Sequence, residues 1–183
     1  MRLIRVMVLA IAVVSAVVMA PNRAQAGTAW TISDAAKQDR PVTIDLLGSF
    51  WLFGNTTWFG GAGWFCYPIL PEGFLPKIND VFYLELGAYA FYYNERVAAH
   101  ADYSYLGIIP AGGVRWDFNL TKSWTVFGAV KAGLAVGTGD APRQFWFVPV
   151  LSVGGFWNFS RSLFLRLEAG NQGLLQAGVS IVL

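Results

Sequence analysis

Charged side chains in the middle of apolar segments constrain this chain more than any other feature. Glu85, for example, lies among Phe82, Leu84, Leu86 and Ala88. Successive side chains of a β-strand point to opposite faces, so these four residues would share one face and Glu85 would lie on the other. An apolar outer face with a charged inner face is typical of a small transmembrane β-barrel, whereas a soluble sheet turns its polar face to water. The charges that follow this pattern are Asp45, Glu85, Arg115, Asp117, Lys131, Arg166 and Glu168.

The composition agrees with a surface that does not face only water. The 183 residues are 55% hydrophobic, 16% aromatic and only 13% charged, whereas a soluble domain has about 25% charged residues. The formal net charge is +2, and no basic patch suggests a nucleic-acid partner.

The first residues resemble a secretory signal peptide. Arg2 and Arg5 precede an apolar run over residues 6–20, and an A-x-A-type site ends at Ala26. We predict a cleaved signal peptide over residues 1–26, a periplasmic lead-in over 27–41 and a barrel over 42–183. An uncleaved membrane anchor is the alternative interpretation of the apolar run.

Eight apolar or alternating segments predict eight strands, so the fold class is all-β: an eight-stranded antiparallel up-and-down transmembrane β-barrel. An even number of strands allows such a sheet to close, and closure avoids unpaired backbone groups in lipid. Eight strands enclose an interior that side chains can fill, which favours a plugged barrel over an open porin. The predicted strands are 42–53, 58–67, 81–93, 105–118, 124–136, 145–159, 163–169 and 174–183.

Six tryptophans lie near the ends of these strands, where membrane proteins concentrate aromatic side chains. If residue 27 lies in the periplasm, three of them fall near the outer interface and three near the periplasmic interface. These predicted interface residues are Trp51, Trp58 and Trp146, and Trp116, Trp124 and Trp157, respectively.

The last segment alternates apolar residues from Leu175 to Leu183 with Gln176, Gly178 and Ser180. It resembles the terminal targeting strand of outer-membrane barrels, although that strand usually ends in Phe or Trp. With the leader and the strand count, the chain resembles the small eight-stranded outer-membrane superfamily that includes the OmpA-type and OmpX/NspA-type barrels. This resemblance implies a monomer in the outer membrane of a diderm bacterium, in contact with lipid and lipopolysaccharide, inserted by the barrel-assembly machinery.

The chemistry-bearing residues leave three functions open. Charges in a closed lumen must pair, and the seven inward charges predict either a salt-bridge network that fills the barrel or a narrow channel for ions or small solutes. His100, Asp102 and Ser104 form the only hydrolase-like set, but they match no motif, and a polar loop is the simpler interpretation. A lipid-A-modifying enzyme is thus the third function.

A single cysteine, Cys66, and a single histidine predict no internal disulfide, no metal site and no cofactor. We therefore expect a non-enzymatic barrel with a closed, charge-filled lumen and a structural or interaction role in the envelope.

Overall fold

The computed structural model describes residues 32–33, 41–53, 56–95, 103–139, 141, 144–172 and 175–183, without the side chains of 51–53, 95 and 103. The predicted signal peptide, nearly all of the predicted lead-in, His100 and Asp102 lie outside these residues. None of the described residues belongs to a helix that is long and apolar enough to cross a membrane.

Eight antiparallel strands form one closed barrel, which confirms the predicted eight-stranded up-and-down architecture. Each strand pairs with the next along the chain, and β1 pairs with β8 to close the sheet. The strands are β1 Thr43–Phe53, β2 Thr56–Leu70, β3 Asp80–Glu95, β4 Tyr103–Asn119, β5 Trp124–Gly139, β6 Phe145–Asn158, β7 Leu163–Gly170 and β8 Leu175–Val182. The middle strands are a few residues longer than predicted because their ladders continue into the polar flanks.

Period-two alternation builds this sheet. In β5, inward residues from Thr125 to Ala135 are buried, while Val126, Val130 and Leu134 are 41–57% exposed on the outer face. The same outward exposure reaches 67% for Phe147 in β6. The barrel therefore has an apolar exterior.

The two ends of the barrel differ. We call the end with the connections 71–79, 120–123 and 159–162 the turn end, and the opposite end the loop end. At the turn end the long β2–β3 connection is held by hydrogen bonds. The Asp80 carboxylate accepts from the backbone N–H of Phe74 at 3.0 Å and from Nε1 of Trp116 at 2.7 Å, and the backbone N–H of Asn119 donates to Asn79 at 2.9 Å.

The lumen is filled in two layers. The charged residues lie in the half nearer the turn end, among apolar side chains such as Tyr83 and Phe127, and an apolar cluster fills the half nearer the loop end. The apolar layer is built mainly from Leu47, Ala62, Trp64, Tyr89, Phe91, Ile109, Ala135, Val148 and Val150.

Candidate functional site

Glu85 is the centre of the charged layer. Its Oε1 lies 2.7 Å from Nη1 of Arg115 and 2.9 Å from Nη1 of Arg166, and its Oε2 lies 2.8 Å from Nζ of Lys131. One carboxylate on β3 therefore contacts cations from β4, β5 and β7. The Glu85 carboxylate therefore links β3 to β5 and β7, which are not its neighbours in the sheet.

Asp45 supplies the second shared carboxylate. Its Oδ2 pairs with Nη1 of Arg166 and lies 3.3 Å from Nη1 of Arg115. Its Oδ1 accepts a hydrogen bond from the Thr43 hydroxyl at 3.0 Å, and the Cys66 thiol donates to Oδ2 at 3.3 Å. All oxygens of this buried carboxylate are thus engaged, as a buried charge requires.

The remaining carboxylates each hold one guanidinium from the side. Asp117 binds Arg115 through two hydrogen bonds, from Nε at 2.6 Å and from Nη2 at 3.0 Å. Glu168 accepts from Nε of Arg166 at 2.9 Å and lies 3.6 Å from Nζ of Lys131. The forked Arg115–Asp117 pair, with one donor on each oxygen, belongs to the stronger class of hydrogen bonds in proteins.

Aromatic rings cover the faces of the cations. The guanidinium carbon of Arg115 lies 4.5 Å from the centre of the Tyr83 ring and 4.7 Å from that of Phe156. Nζ of Lys131 lies 4.4 Å from the ring centre of Trp64. These distances fall within the range of cation–π attraction, so the cations have favourable contacts on the sides that face no carboxylate.

Gly113 leaves room for the link between Glu85 and Lys131. It stands between them in the ladder, paired with Glu85 on β3 and with Lys131 on β5. A Cβ atom at this position would lie 2.1 Å from the carbonyl oxygen of Val130 and 2.5 Å from Cα of Lys131. Only glycine lets β4 and β5 approach as they do here.

All seven charges predicted to face the lumen lie inside the barrel, each at most 4% exposed. They comprise four carboxylates and three cations, so the formal charge of the cluster is −1 when all are ionised. The cations are shared among several carboxylates rather than paired one to one. We call this arrangement the ionic plug, because Asp45, Glu85 and Lys131 link charges from different strands, while Asp117 binds Arg115 of its own strand.

The carboxylates of Asp45 and Glu85 and the Cys66 thiol lie within 4.8 Å of one another. Three such donors resemble a metal site, but two guanidinium groups already contact them. A divalent cation at this point would face two positive charges at hydrogen-bond distance. The arrangement therefore favours ion pairing over metal binding.

A small cavity of about 80 Å³ opens on the turn-end side of the charged layer. Its wall contains Arg115 and Asp117 together with the polar side chains of Thr43, Asn119 and Thr125. The Arg115–Asp117 pair forms the inner limit of this cavity, so the cavity ends at the ionic plug.

The apolar layer was not predicted. The sequence pattern predicts a lumen filled with charge, whereas Tyr89 and Phe91 on β3 are buried with Ile109 in the other half. The sequence does contain a pattern that places these rings in the lumen. Tyr89 and Phe91 follow Glu85 by an even number of positions along the same strand, so they point to the same face. Gly107 leaves space for the Phe91 ring, since a Cβ atom there would lie 2.3 Å from its Cζ.

The structure divides the six predicted interface tryptophans. Trp116, Trp124 and Trp157 lie on the outer face at the turn end, and the rings of Trp124 and Trp157 stack at 6.2 Å. Trp58 and Trp146 instead pack against the apolar layer of the lumen, which corrects their predicted position.

The two tryptophans face the lumen because side chains alternate between the two faces of a strand. Trp58 shares a face with the buried Trp64, and Trp146 shares a face with the buried Val148. Trp51 is paired with Trp58 in the ladder, but its side chain lies outside the described part.

The weak hydrolase-like set is only partly placed. Ser104 lies in β4 near the loop end, opposite Asn94 of β3. His100 and Asp102 lie outside the described residues, so their relation to Ser104 stays a prediction.

No protein-family model and no curated protein matches this chain. Solved structures that resemble it include one described as "De novo design of transmembrane beta-barrels". That chain is 16% identical in sequence with a TM-score of 0.44, and the match covers 80% of this chain and 99% of the other.

Proposed function

We propose that this protein is a bacterial outer-membrane β-barrel with a closed lumen and a structural or interaction role in the envelope. One observation carries the proposal: the outer face of the barrel is apolar while the paired charges are inside. Removing a Leu or Phe side chain from water contributes roughly 1.5–3 kcal/mol. A barrel that presents many such side chains outwards gains most when lipid surrounds it.

The height of the apolar surface fits a bilayer. On β5 the outward apolar residues run from Val126 to Val136, which at about 3.3 Å per residue is roughly 33 Å along the strand. With a tilt of about 40° the band is roughly 25 Å tall, the height found in outer-membrane barrels.

Two independent layers support a closed lumen. Water and ions that reach Arg115 from the turn end meet the ionic plug, and beyond it they meet the rings of Tyr89 and Phe91. An apolar constriction resists hydration. The proposed role therefore relies on the outer surface and the loops rather than on transport.

The expected partners follow from this location. We propose contact with outer-membrane lipid and lipopolysaccharide, insertion by the barrel-assembly machinery as a monomer, and no nucleic-acid partner. The predicted signal peptide over residues 1–26 would direct export.

Expression in a diderm host tests the location. We expect the protein in the outer-membrane fraction, with a faster-migrating band on unboiled gels and a strand-dominated circular dichroism spectrum in detergent. A helical spectrum, or recovery of the folded protein in the soluble periplasmic fraction, would refute the proposal.

A narrow channel is the second candidate, and the cavity of about 80 Å³ at the turn end is the observation that favours it. In that function the cavity would be a vestibule, and the Arg115–Asp117 pair would be a gate. Conductance across a planar bilayer separates a channel from a closed barrel.

We propose no catalytic role, because the chain contains one histidine and His100 matches no known motif. Lipid A from cells with and without the protein should have the same mass spectrum. An acyl change that is lost in His100→Ala would instead establish a lipid-A-modifying enzyme.

A further inference from the structure

An apolar groove runs along the outer face of strands β5 and β6, beginning at the turn end. It consists of two hollows of about 270 Å³ and 520 Å³ that follow one another along these strands, and the larger hollow also reaches residues of β3, β4 and β7. The first is lined by Trp124, Trp157 and Gly155, and the second by Gly128 and Val153. We call the two hollows together the outer groove.

Two outward glycines create the hollow. Gly128 and Gly155 occupy outer-face positions where neighbouring strands carry large apolar residues such as Trp116 and Leu167. A Cβ atom built on Gly128 would meet nothing within 4 Å. The groove is thus an open depression in the apolar outer face at this point.

The length of the outer groove matches one leaflet. From Trp157 to Leu151 on β6 it spans six residue steps, or roughly 20 Å along the strand. At a tilt of about 40° this is about 15 Å along the bilayer normal, half of the hydrocarbon thickness of about 30 Å.

Two exposed cations lie in the turns next to the turn-end hollow of the outer groove. Lys122, in the β4–β5 turn, precedes Trp124 by two residues, and Arg161, in the β6–β7 turn, follows Trp157 by four. A backbone hydrogen bond of 2.8 Å from Asn158 to Ser123 joins the bases of these two turns. Within the described ranges, the exposed lysines and arginines are Lys77, Lys122 and Arg161, all at the turn end.

We propose that the outer groove with Lys122 and Arg161 is a binding site for an anionic glycerophospholipid. One acyl chain lies in the groove over Gly128 and Gly155, and the phosphate contacts the two cations. This inference rests on the proposed membrane location, because the groove takes an acyl chain only if lipid surrounds the barrel. It further places the turn end at the anionic face of one leaflet.

Native mass spectrometry of the full chain in detergent micelles tests the site, after an unboiled gel has established that each variant is folded. The probes are phosphatidylglycerol, phosphatidylcholine and lipopolysaccharide, added separately at equal concentration. We expect one retained phosphatidylglycerol and weaker retention of the other two. Each cation near an anionic headgroup should contribute roughly a fivefold change in affinity. The double variant Lys122→Gln, Arg161→Gln should therefore bind phosphatidylglycerol roughly 25-fold more weakly than the wild type.

Gly128→Leu should also abolish the retention of phosphatidylglycerol, because the leucine side chain fills the groove. The variant should fold, because a Cβ atom at this position has no other atom within 4 Å. The matched controls are Lys77→Gln, another exposed turn-end cation, and Ala132→Leu, an outward residue of β5 beyond the groove. Both controls should bind as the wild type does.

Several results would overturn the site. Equal retention of phosphatidylglycerol and phosphatidylcholine contradicts it, and so does preferential retention of lipopolysaccharide. A loss with the cation variant but none with Gly128→Leu would show headgroup attraction without a groove. Dimers that disappear in Gly128→Leu would show that a second copy of the chain covers this face. A folded, inserted barrel without lipid preference refutes only the site, whereas a failure to insert refutes the proposed location.

Discussion

Glu85 contacts all three cations of the lumen, whereas Asp117 contacts Arg115 alone. Replacing either carboxylate by its amide changes the formal charge of the cluster from −1 to zero. Any difference in stability between the two variants therefore comes from the contacts that each carboxylate makes, and not from the total charge. Glu85→Gln removes the 2.8 Å partner of Lys131 and leaves it Glu168 at 3.6 Å.

We therefore expect Glu85→Gln to lower the free energy of unfolding by about 3–5 kcal/mol, and Asp117→Asn by about 1.5–3 kcal/mol. Urea titration of the barrel in lipid vesicles, followed by tryptophan fluorescence, measures both. Equal losses in the two variants would mean that net charge, and not the sharing of Glu85, determines the stability.

Cys66 has no exposed surface and its thiol contacts Asp45 and Glu85. A maleimide reagent should leave it unlabelled in the folded barrel and label it after unfolding. Ser162→Cys in a Cys66→Ala background is the control, because Ser162 is exposed in the β6–β7 turn and should react at once. Rapid labelling of native Cys66 would show that reagent and water reach the ionic plug.

Two glycines of neighbouring strands give opposite predictions for the same substitution. A methyl group on Gly113 would collide with the backbone of β5, whereas one on Gly128 would meet nothing. We expect Gly113→Ala to destabilise the barrel by about 1–3 kcal/mol and Gly128→Ala to stay within about 0.5 kcal/mol of wild type.

The same urea titration measures this pair. A neutral Gly113→Ala would show that β4 and β5 can separate without loss, and that the close approach does not hold the Glu85–Lys131 link in place.

The strands were predictable because their side chains alternate with period two. Glu85 among outward leucines was enough to assign both faces of β3, and the same pattern located the other strands to within a few residues. The contacts inside the lumen were not predictable. They depend on the register of the strands, which determines which residues of distant strands lie at the same height along the barrel axis. The same alternation places Trp58 and Trp146 on the lumen face. Their position near strand ends instead favours the membrane interface, and this second criterion gave the wrong position.

The whole molecule combines an apolar exterior with a lumen that we propose is closed by two layers of side chains. The ionic plug around Glu85 lies toward the turn end, and the apolar layer around Phe91 lies toward the loop end. Each layer requires the other strands to be in register, because its members come from most of the barrel. We therefore propose that closing the sheet also closes the lumen.

Conductance across a planar lipid bilayer tests this central claim most directly. Full-length protein, shown by the unboiled gel to be folded, is inserted beside an open porin as a positive control. We predict no stable single-channel steps from this protein at any applied voltage that the porin bilayer tolerates. Stable steps whose size changes in Lys131→Gln or Arg166→Gln would contradict the closed lumen and establish a channel through the charged layer.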